Sequence, residues 1–304
     1  MTGTSKLMQY GLAISFFTLM LITSIFAMQI QLAYAQLNIN NTTESNNSQN
    51  NTLIANILAK NLQNRIQKAG AILEITSKLP QVRDAPYANL LNETLTTLHG
   101  IPQQADIEKR KLAQNILIAD KDFEVIFSLM PNGDMYIEEP YYRQQNLTRD
   151  NFAFRDYYKG AVNTDNTYLG NVIISASSGL PQTNIALPVY SLKDNSTLTG
   201  IRAGSINFNV LNKELQSLNL TSLDDNARVV YVDNNGQKAV DSDVNKSTIP
   251  ESFANLNSFK AAISGQAGST IDTVNNTKML VAYQPVNAFH NTWAVLLMQP
   301  SGPL

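Results

Sequence analysis

The chain has 304 residues, 22 Lys+Arg against 24 Asp+Glu, 43% hydrophobic residues, two histidines and no cysteine. That length accommodates about two compact domains, and the nearly cancelling charge leaves no basic field to hold nucleic acid. The composition excludes disulfide frameworks, thiolate metal sites and Cys nucleophiles, and with only His99 and His290 a histidine metal site or a Ser-His-Asp triad is hard to build.

The N-terminus reads as an export segment. Lys6 is the only charge before Glu44, Gly11 to Met28 is almost wholly apolar, and Ala33-Tyr34-Ala35 follows as a small-x-small cleavage pattern. Residues 1–35 are therefore a signal peptide if cleaved, or an N-terminal membrane anchor if retained. An apolar run of 18 residues is at the short end of the ~17–25 that span a bilayer. Either way the remainder lies outside the cytoplasm, secreted or tethered to the cell membrane. Ten N-x-S/T sequons, from Asn40 to Asn275, all fall in that exported part, as do all 35 Asn.

Residues 36–50 (QLNINNTTESNNSQN) are expected to be a polar linker. From Asn51 apolar residues recur every three or four positions: Ile54, Leu58, Leu62, Ile66, Ala69, Ile72 and Leu73. This stripe predicts a long helix to about Lys78, closed by Pro80. Pro86 to Leu98 and Ala105 to Ala119 are predicted as two further helices.

Strand patterns follow. Phe123–Met130 and Met135–Glu138 flank the turn Pro131-Asn132-Gly133-Asp134, and Thr167–Ser175, Thr183–Tyr190 and Thr199–Phe208 are further strands. Pro188 lacks an N–H and is expected at an edge or bulge. Val210–Leu218 returns to helix. From Asn226 a similar succession begins: strand Ala227–Asp233, turn Asn234-Asn235-Gly236-Gln237, strand Lys238–Asp241, helix Pro250–Ile263, and strands Gly268–Thr273, Lys278–Gln284 and Thr292–Gln299. The echo predicts an α+β chain made of two copies of one fold.

The ordered set of segments resembles the double-Cache (PAS-like) extracellular sensor domains of archaeal and bacterial receptors, over about residues 51–298. The segments are MYIEEPYYRQQNLTRDNFAFRDYYKGAV (135–162), SSGLP, NIALPVYS and TGIRAGSINFNVL, then VVYVDNNGQKAV and TWAVLLMQP. The resemblance implies one long helix carrying a membrane-distal, ligand-binding module (51–222) and a membrane-proximal module (223–299), with 300–304 as a tail. It also implies a small-molecule ligand, a possible homodimer through the long helix, and a membrane-embedded signalling partner. Receptors of this type continue into a second span and a transmitter; this sequence holds neither, which points to a stand-alone module or a piece of a longer chain.

In the family an R-x-W/Y-Y segment lies beneath the ligand, and it falls here on Arg155, Tyr157 and Tyr158. A guanidinium offers a planar donor fork matched to a carboxylate, and aromatics give rigid walls with polar tips. The amino-acid-binding branch has a Tyr where this chain has Asp150, a Trp where it has Tyr157, and a distal Asp where it has Ser205, or Asn207 in the alternative register. Loss of that Asp removes the usual counter-charge for an ammonium, which Asp150 is the candidate to replace. The ligand expected is thus a small polar metabolite carrying a carboxylate or other anionic group. Tyr168 and Ser175 are further candidates on pocket-facing strands, whereas Tyr142 and Tyr190 are expected to pack. No cofactor or metal is expected. The acidic pieces Asp224-Asp225 and Asp241-Ser242-Asp243 lack the Gly and Glu of a calcium loop. No nucleophile elbow or zinc-protease motif points to an enzyme. The competing class is a glycosylated cell-surface adhesion or structural ectodomain without a small ligand.

Overall fold

The computed structural model describes residues 44–218, 220 and 223–301. The expected signal or anchor segment, the first part of the expected linker and the last three residues lie outside them. Among the described residues no helix is long and apolar enough to cross a membrane.

Helix α1 (Glu44–Ser77) has 34 residues, about 51 Å at the α-helical rise. It begins inside the segment expected to be linker. The polar residues 44–50 extend the helix because Ser48 finds a partner across the fold, its hydroxyl 2.6 Å from that of Ser269. The predicted stripe is the buried face: Ile54, Leu58, Leu62, Ile66, Ala69 and Leu73 are each at most 3% exposed. They share one core with Phe123, Ile126, Ile185 and Leu187 on one side of the fold and with Val240, Val286, Trp293 and Val295 on another.

A short 3-10 turn (Ala88–Leu90), α2 (Leu91–Leu98) and α3 (Ile107–Ala119) lead to the first sheet. Its strands are β1 (Phe123–Leu129), β2 (Met135–Glu139), β3 (Tyr168–Leu169), β6 (Asn184–Tyr190) and β7 (Leu198–Ile206). Between β2 and β3 come α4 (Tyr141–Gln145) and α5 (Asp156–Thr164), and β4 (Ile173–Ile174) and β5 (Pro181–Gln182) form a separate ribbon. After α6 (Phe208–Gln216) the second sheet holds β8 (Arg228–Val232), β9 (Lys238–Asp241), β10 (Gly268–Val274), β11 (Thr277–Ala288) and β12 (Asn291–Pro300), with α7 (Asn257–Ile263) before β10.

The spatial orders are β2-β1-β7-β6-β3 and β9-β8-β12-β11-β10. Counted along each sheet's own strands, both run second-first-fifth-fourth-third, all antiparallel. The predicted echo is thus a repeated topology. It extends to detail. The turn glycines Gly133 and Gly236 both have positive φ, 90° and 79°. The N–H of Phe152 donates to the Gly133 carbonyl at 2.8 Å, and that of Phe253 to the Gly236 carbonyl at 2.7 Å. An added Cβ at either glycine would lie within 2.6–2.7 Å of Ala153 or Ala254, so both positions need glycine for φ and for space.

Three expectations are corrected. Thr167–Ser175 is two short strands, because Asn171 and Val172 donate their N–H groups to the Asp156 and Asp233 carboxylates. Pro250–Ile263 becomes helical only from Asn257, since Ser252 bridges to Gln237 and Lys238 donates to the Glu251 carbonyl. Tyr142 is not a packing residue but 58% exposed. Pro188 sits in β6 beyond the end of β3, where its missing N–H costs no ladder bond.

Candidate functional site

The first sheet presents one face to α5 and the β4–β5 ribbon. Val125 and Ser205 are register partners, as are Ser205 and Asn184, and Phe127 and Glu138; opposed residues share a face. Side chains from this face, the loop before α5, α5 itself and the ribbon enclose a cleft of about 310 Å³ of atom-free space including its mouth. Its walls are apolar at Val125, Phe127, Leu147, Phe152 and Ile173, and polar at Glu138, Arg155, Tyr157, Ser175, Ser177, Gln182, Asn184 and Ser205.

Arg155 is the N-cap residue of α5, with extended backbone (φ −68°, ψ 146°). Its Nη2 donates to the Ile174 carbonyl at 2.9 Å, its guanidinium lies 4.9 Å from the Phe154 ring, and its Nε is buried without a partner. Burial lowers its pKa, opposed by Tyr157. Tyr157 is 2% exposed, packs edge-on to Phe127 at 5.9 Å, and its hydroxyl has no hydrogen-bond partner among the described residues. Ser205 donates to Asn184 Oδ1 at 2.5 Å.

Sequence reasoning did not single out the acid in this cleft. Glu138 is 4% exposed; its Oε1 accepts from Ser177 at 3.0 Å and lies 4.0 Å from Arg143 Nε. Burial pushes its carboxyl up to about 7. Arg143 is buried behind it, donating to Glu124 at 2.7 Å and to Ser177 at 2.8 Å. The available signal was the register: once Ser205 faces the cleft, its cross-strand neighbours Asn184 and Val125 must too, and so must Glu138 beyond Phe127.

Of the residues singled out in the sequence, Arg155, Tyr157, Ser175 and Ser205 line this cleft together. The others take different places. Tyr158 donates to the Pro131 carbonyl at 2.6 Å. Tyr168 stacks over Gly160, where an added Cβ would lie 2.3 Å from its ring. Asn207 caps α6, its side chain accepting from the Val210 N–H. Asp150 pairs with His99 Nδ1, which accounts for why it does not stand in for the missing strand carboxylate. Among the described residues no group of acids and histidines is placed to hold a metal.

The second sheet shows what this site looks like when a protein fills it itself. By the shared register, Arg228 occupies the place of Val125 and Asp241 that of Glu138, and Leu256 caps α7 as Arg155 caps α5. Arg228 Nε and Nη2 donate to Asp241 at 3.0 and 2.6 Å, Lys238 Nζ reaches Asp241 at 2.8 Å, and Glu251 completes the network. The charges there are spent on each other. In the first sheet Arg155 and Tyr157 keep unused donors.

The chain belongs to the Cache-domain family: the dCache family model, described as Cache domain, matches residues 35–304. Among solved structures it is similar to the ligand-binding domain of the Pseudomonas fluorescens chemoreceptor CtaA in complex with L-isoleucine, at 16% identity and TM-score 0.58, covering 84% of this chain and 93% of that one. It is also similar to the ligand-binding domain of the Pseudomonas aeruginosa amino-acid chemoreceptor PctB in complex with L-Gln, at 15% identity and TM-score 0.56, covering 81% and 88%. The periplasmic sensory domain of the Campylobacter jejuni chemoreceptor Tlp1 matches at 14% identity and TM-score 0.57, covering 86% and 98%. At these identities the likeness is one of fold. A search of curated proteins gives no match.

Proposed function

We propose that the chain is an extracytoplasmic sensor that binds a small polar metabolite in the cleft of its first sheet and serves signal transduction or chemotaxis. The observation that carries this reading is the contrast between the two copies: Arg155 and Tyr157 hold unpartnered donors in a walled cleft, while the second copy has Leu256 in the place of Arg155 and its own charges, Arg228, Lys238 and Asp241, neutralise one another. The ligand's carboxylate, or another anionic group, meets Arg155 and Tyr157. Ser175 and Ser205 supply neutral polar contacts. Glu138 Oε2, without a hydrogen-bond partner among the described residues, accepts from a hydroxyl or ammonium on the same ligand. Residues 51–222 are then the ligand-binding module and 223–299 the membrane-proximal one, with α1 as the shared spine through which a homodimer and a membrane-embedded partner would be engaged.

The similar domains solved with L-isoleucine and L-Gln support a small ligand in this fold without fixing its identity here. The test is a thermal-shift screen of organic acids, amino acids and neutral sugars. The reading expects shifts confined to compounds with an anionic group, and lost in Arg155→Ala. Shifts only from neutral sugars, or none from any acid, count against it.

A further inference from the structure

The N-x-S/T sequons differ in what the fold does with their hydroxyl groups. In those beginning at Asn46, Asn50, Asn92, Asn146, Asn195 and Asn245, the hydroxyl two residues on is already bonded within the molecule. Ser48 pairs with Ser269 at 2.6 Å, and Thr52 donates to the Ser48 carbonyl at 2.8 Å. Thr94 donates to the Leu90 carbonyl at 2.9 Å, and Thr148 to that of Ala176 at 3.2 Å. Thr197 donates to the Asp194 carboxylate at 2.6 Å, and Ser247 to the Val244 carbonyl at 3.0 Å. Asn275-Asn276-Thr277 stands apart. All three residues are exposed, and neither the Asn275 amide nor the Thr277 hydroxyl has a hydrogen-bond partner among the described residues.

This sequon is the tip of the β10–β11 hairpin. Val274 and Thr277 are register partners, and Asn275 and Asn276 between them have φ of 49° and 65°, the two-residue turn that matches strand twist. The turn accounts for asparagine at 275 and 276, which tolerates positive φ, but it asks for no hydroxyl at 277. The strand beside the tip is open. Among the edge strands, β3 has two residues, and β2 and β9 are bridged by Asn151 and Ser252. β10 has seven residues, GSTIDTV, without Lys, Arg or Pro, and among the described residues none of its backbone groups bonds beyond the ladder with β11. Its one charge, Asp272, is buried and accepts from the Asn257 and Ser258 N–H groups, while Ile271 is 50% exposed. A long, uncharged, uncovered edge is a template for unwanted pairing.

We propose that Asn275 is an N-glycosylation site of the folded chain, taking its saccharide from a lipid-linked donor with a phosphate leaving group. Asn275 Nδ2 bonds to the anomeric carbon, the bond from that carbon to the donor's phosphate oxygen breaks, and one Nδ2 proton is released. The free Thr277 hydroxyl is the group the transferase reads in the acceptor sequence. The saccharide, bulky and solubilising, stands at the end of β10 and shields its open edge. The site lies on the second sheet and does not depend on the metabolite cleft.

The experiment is peptide mapping of the chain purified from the cells that naturally produce it. Trypsin cuts after Lys260 and Lys278, so one peptide, Ala261 to Lys278, carries this sequon alone. Electron-transfer fragmentation should place whole saccharide units on Asn275 and none on Asn276. Thr277→Val, which keeps a β-branched residue at the start of β11, should lose the modification and keep the native melting curve; Thr277→Ser should retain it. A peptide 261–278 found only in its unmodified form overturns the proposal, whether or not other sequons are occupied, as does a saccharide that Thr277→Val retains. The shielding role has its own readout. In sedimentation velocity at equal concentration, the chain made in a host without N-glycan transfer should form larger assemblies than the glycosylated chain, and Ile271→Lys should reverse this. Identical distributions for the two forms would strike the shielding role.

Discussion

Asp233, in the turn after β8, accepts a 2.7 Å hydrogen bond from the backbone N–H of Val172, two residues before the Ile174 carbonyl that holds Arg155. The segment between the cleft and the second sheet is therefore fixed at both ends. Asp156 accepts from Asn171 on the cleft side, and Asn291 of β12 donates to the Leu169 carbonyl at 2.9 Å on the other.

That relationship gives the first prediction. Asp233 also accepts from the N–H groups of Asn235 and Gln237. Asp233→Ala strands three backbone donors and should cost about 2–4 kcal/mol in urea unfolding. Amide hydrogen exchange at Val172 should quicken well beyond the global change. Unaltered protection at Val172 would remove this link between cleft and second sheet.

Leu62→Ala tests the shared spine. Leu62 is 1% exposed in the core that joins α1 to both sheets, so its truncation should cost about 2–5 kcal/mol. Both sheets should feel it, as one shifted transition seen by Trp293 fluorescence and by far-UV circular dichroism. Two separated transitions with only one displaced would contradict a common core.

Glu138 should leave a mark on pH dependence. Its folded carboxyl is raised by burial to about 7 from an ordinary 4.5, so the native state holds more protons than the unfolded state between those values. Stability from this group is greatest below pH 4.5, falls as pH rises through 7, and is flat above. The full swing is roughly 3 kcal/mol. Glu138→Gln should flatten the curve in that window, measured by urea unfolding from pH 4.5 to 8. Parallel curves for both proteins would place the Glu138 carboxyl in an ordinary environment.

Asp241→Asn probes the self-satisfied copy of the site. It removes the carboxylate between Arg228 and Lys238, both nearly buried, and should cost about 3–5 kcal/mol because two buried cations are left with Glu251 as their one carboxylate. Ligand affinity at Arg155 should not change. A near-neutral effect on denaturant unfolding would mean that water enters the network readily.

Periodicity and turn chemistry made most of this fold legible. The stripe from Ile54 to Leu73 marked the buried face of α1, and the glycines at 133 and 236 marked equivalent hairpins. What escaped was decided by tertiary partners. Nothing in NNSQN distinguishes a linker from a helix end until Ser269 is beside Ser48. Pro250 looks like a helix start until Ser252 bridges to Gln237. Arg155 and Tyr157 were visible through the family motif, but Glu138 was not, because a strand-end Glu carries no local sign of burial.

The central claim is that Arg155 receives the anionic group of a small ligand. The direct measurement is calorimetric titration of a metabolite that stabilises the wild type into wild type, Arg155→Ala and Arg155→Lys. A charged hydrogen bond is worth about 1.5–3 kcal/mol, so Arg155→Ala should bind roughly ten- to a hundredfold more weakly. Arg155→Lys should recover only part of that, since an ammonium lacks the planar fork. Equal affinity in wild type and Arg155→Ala, with a native melting curve, would contradict the account.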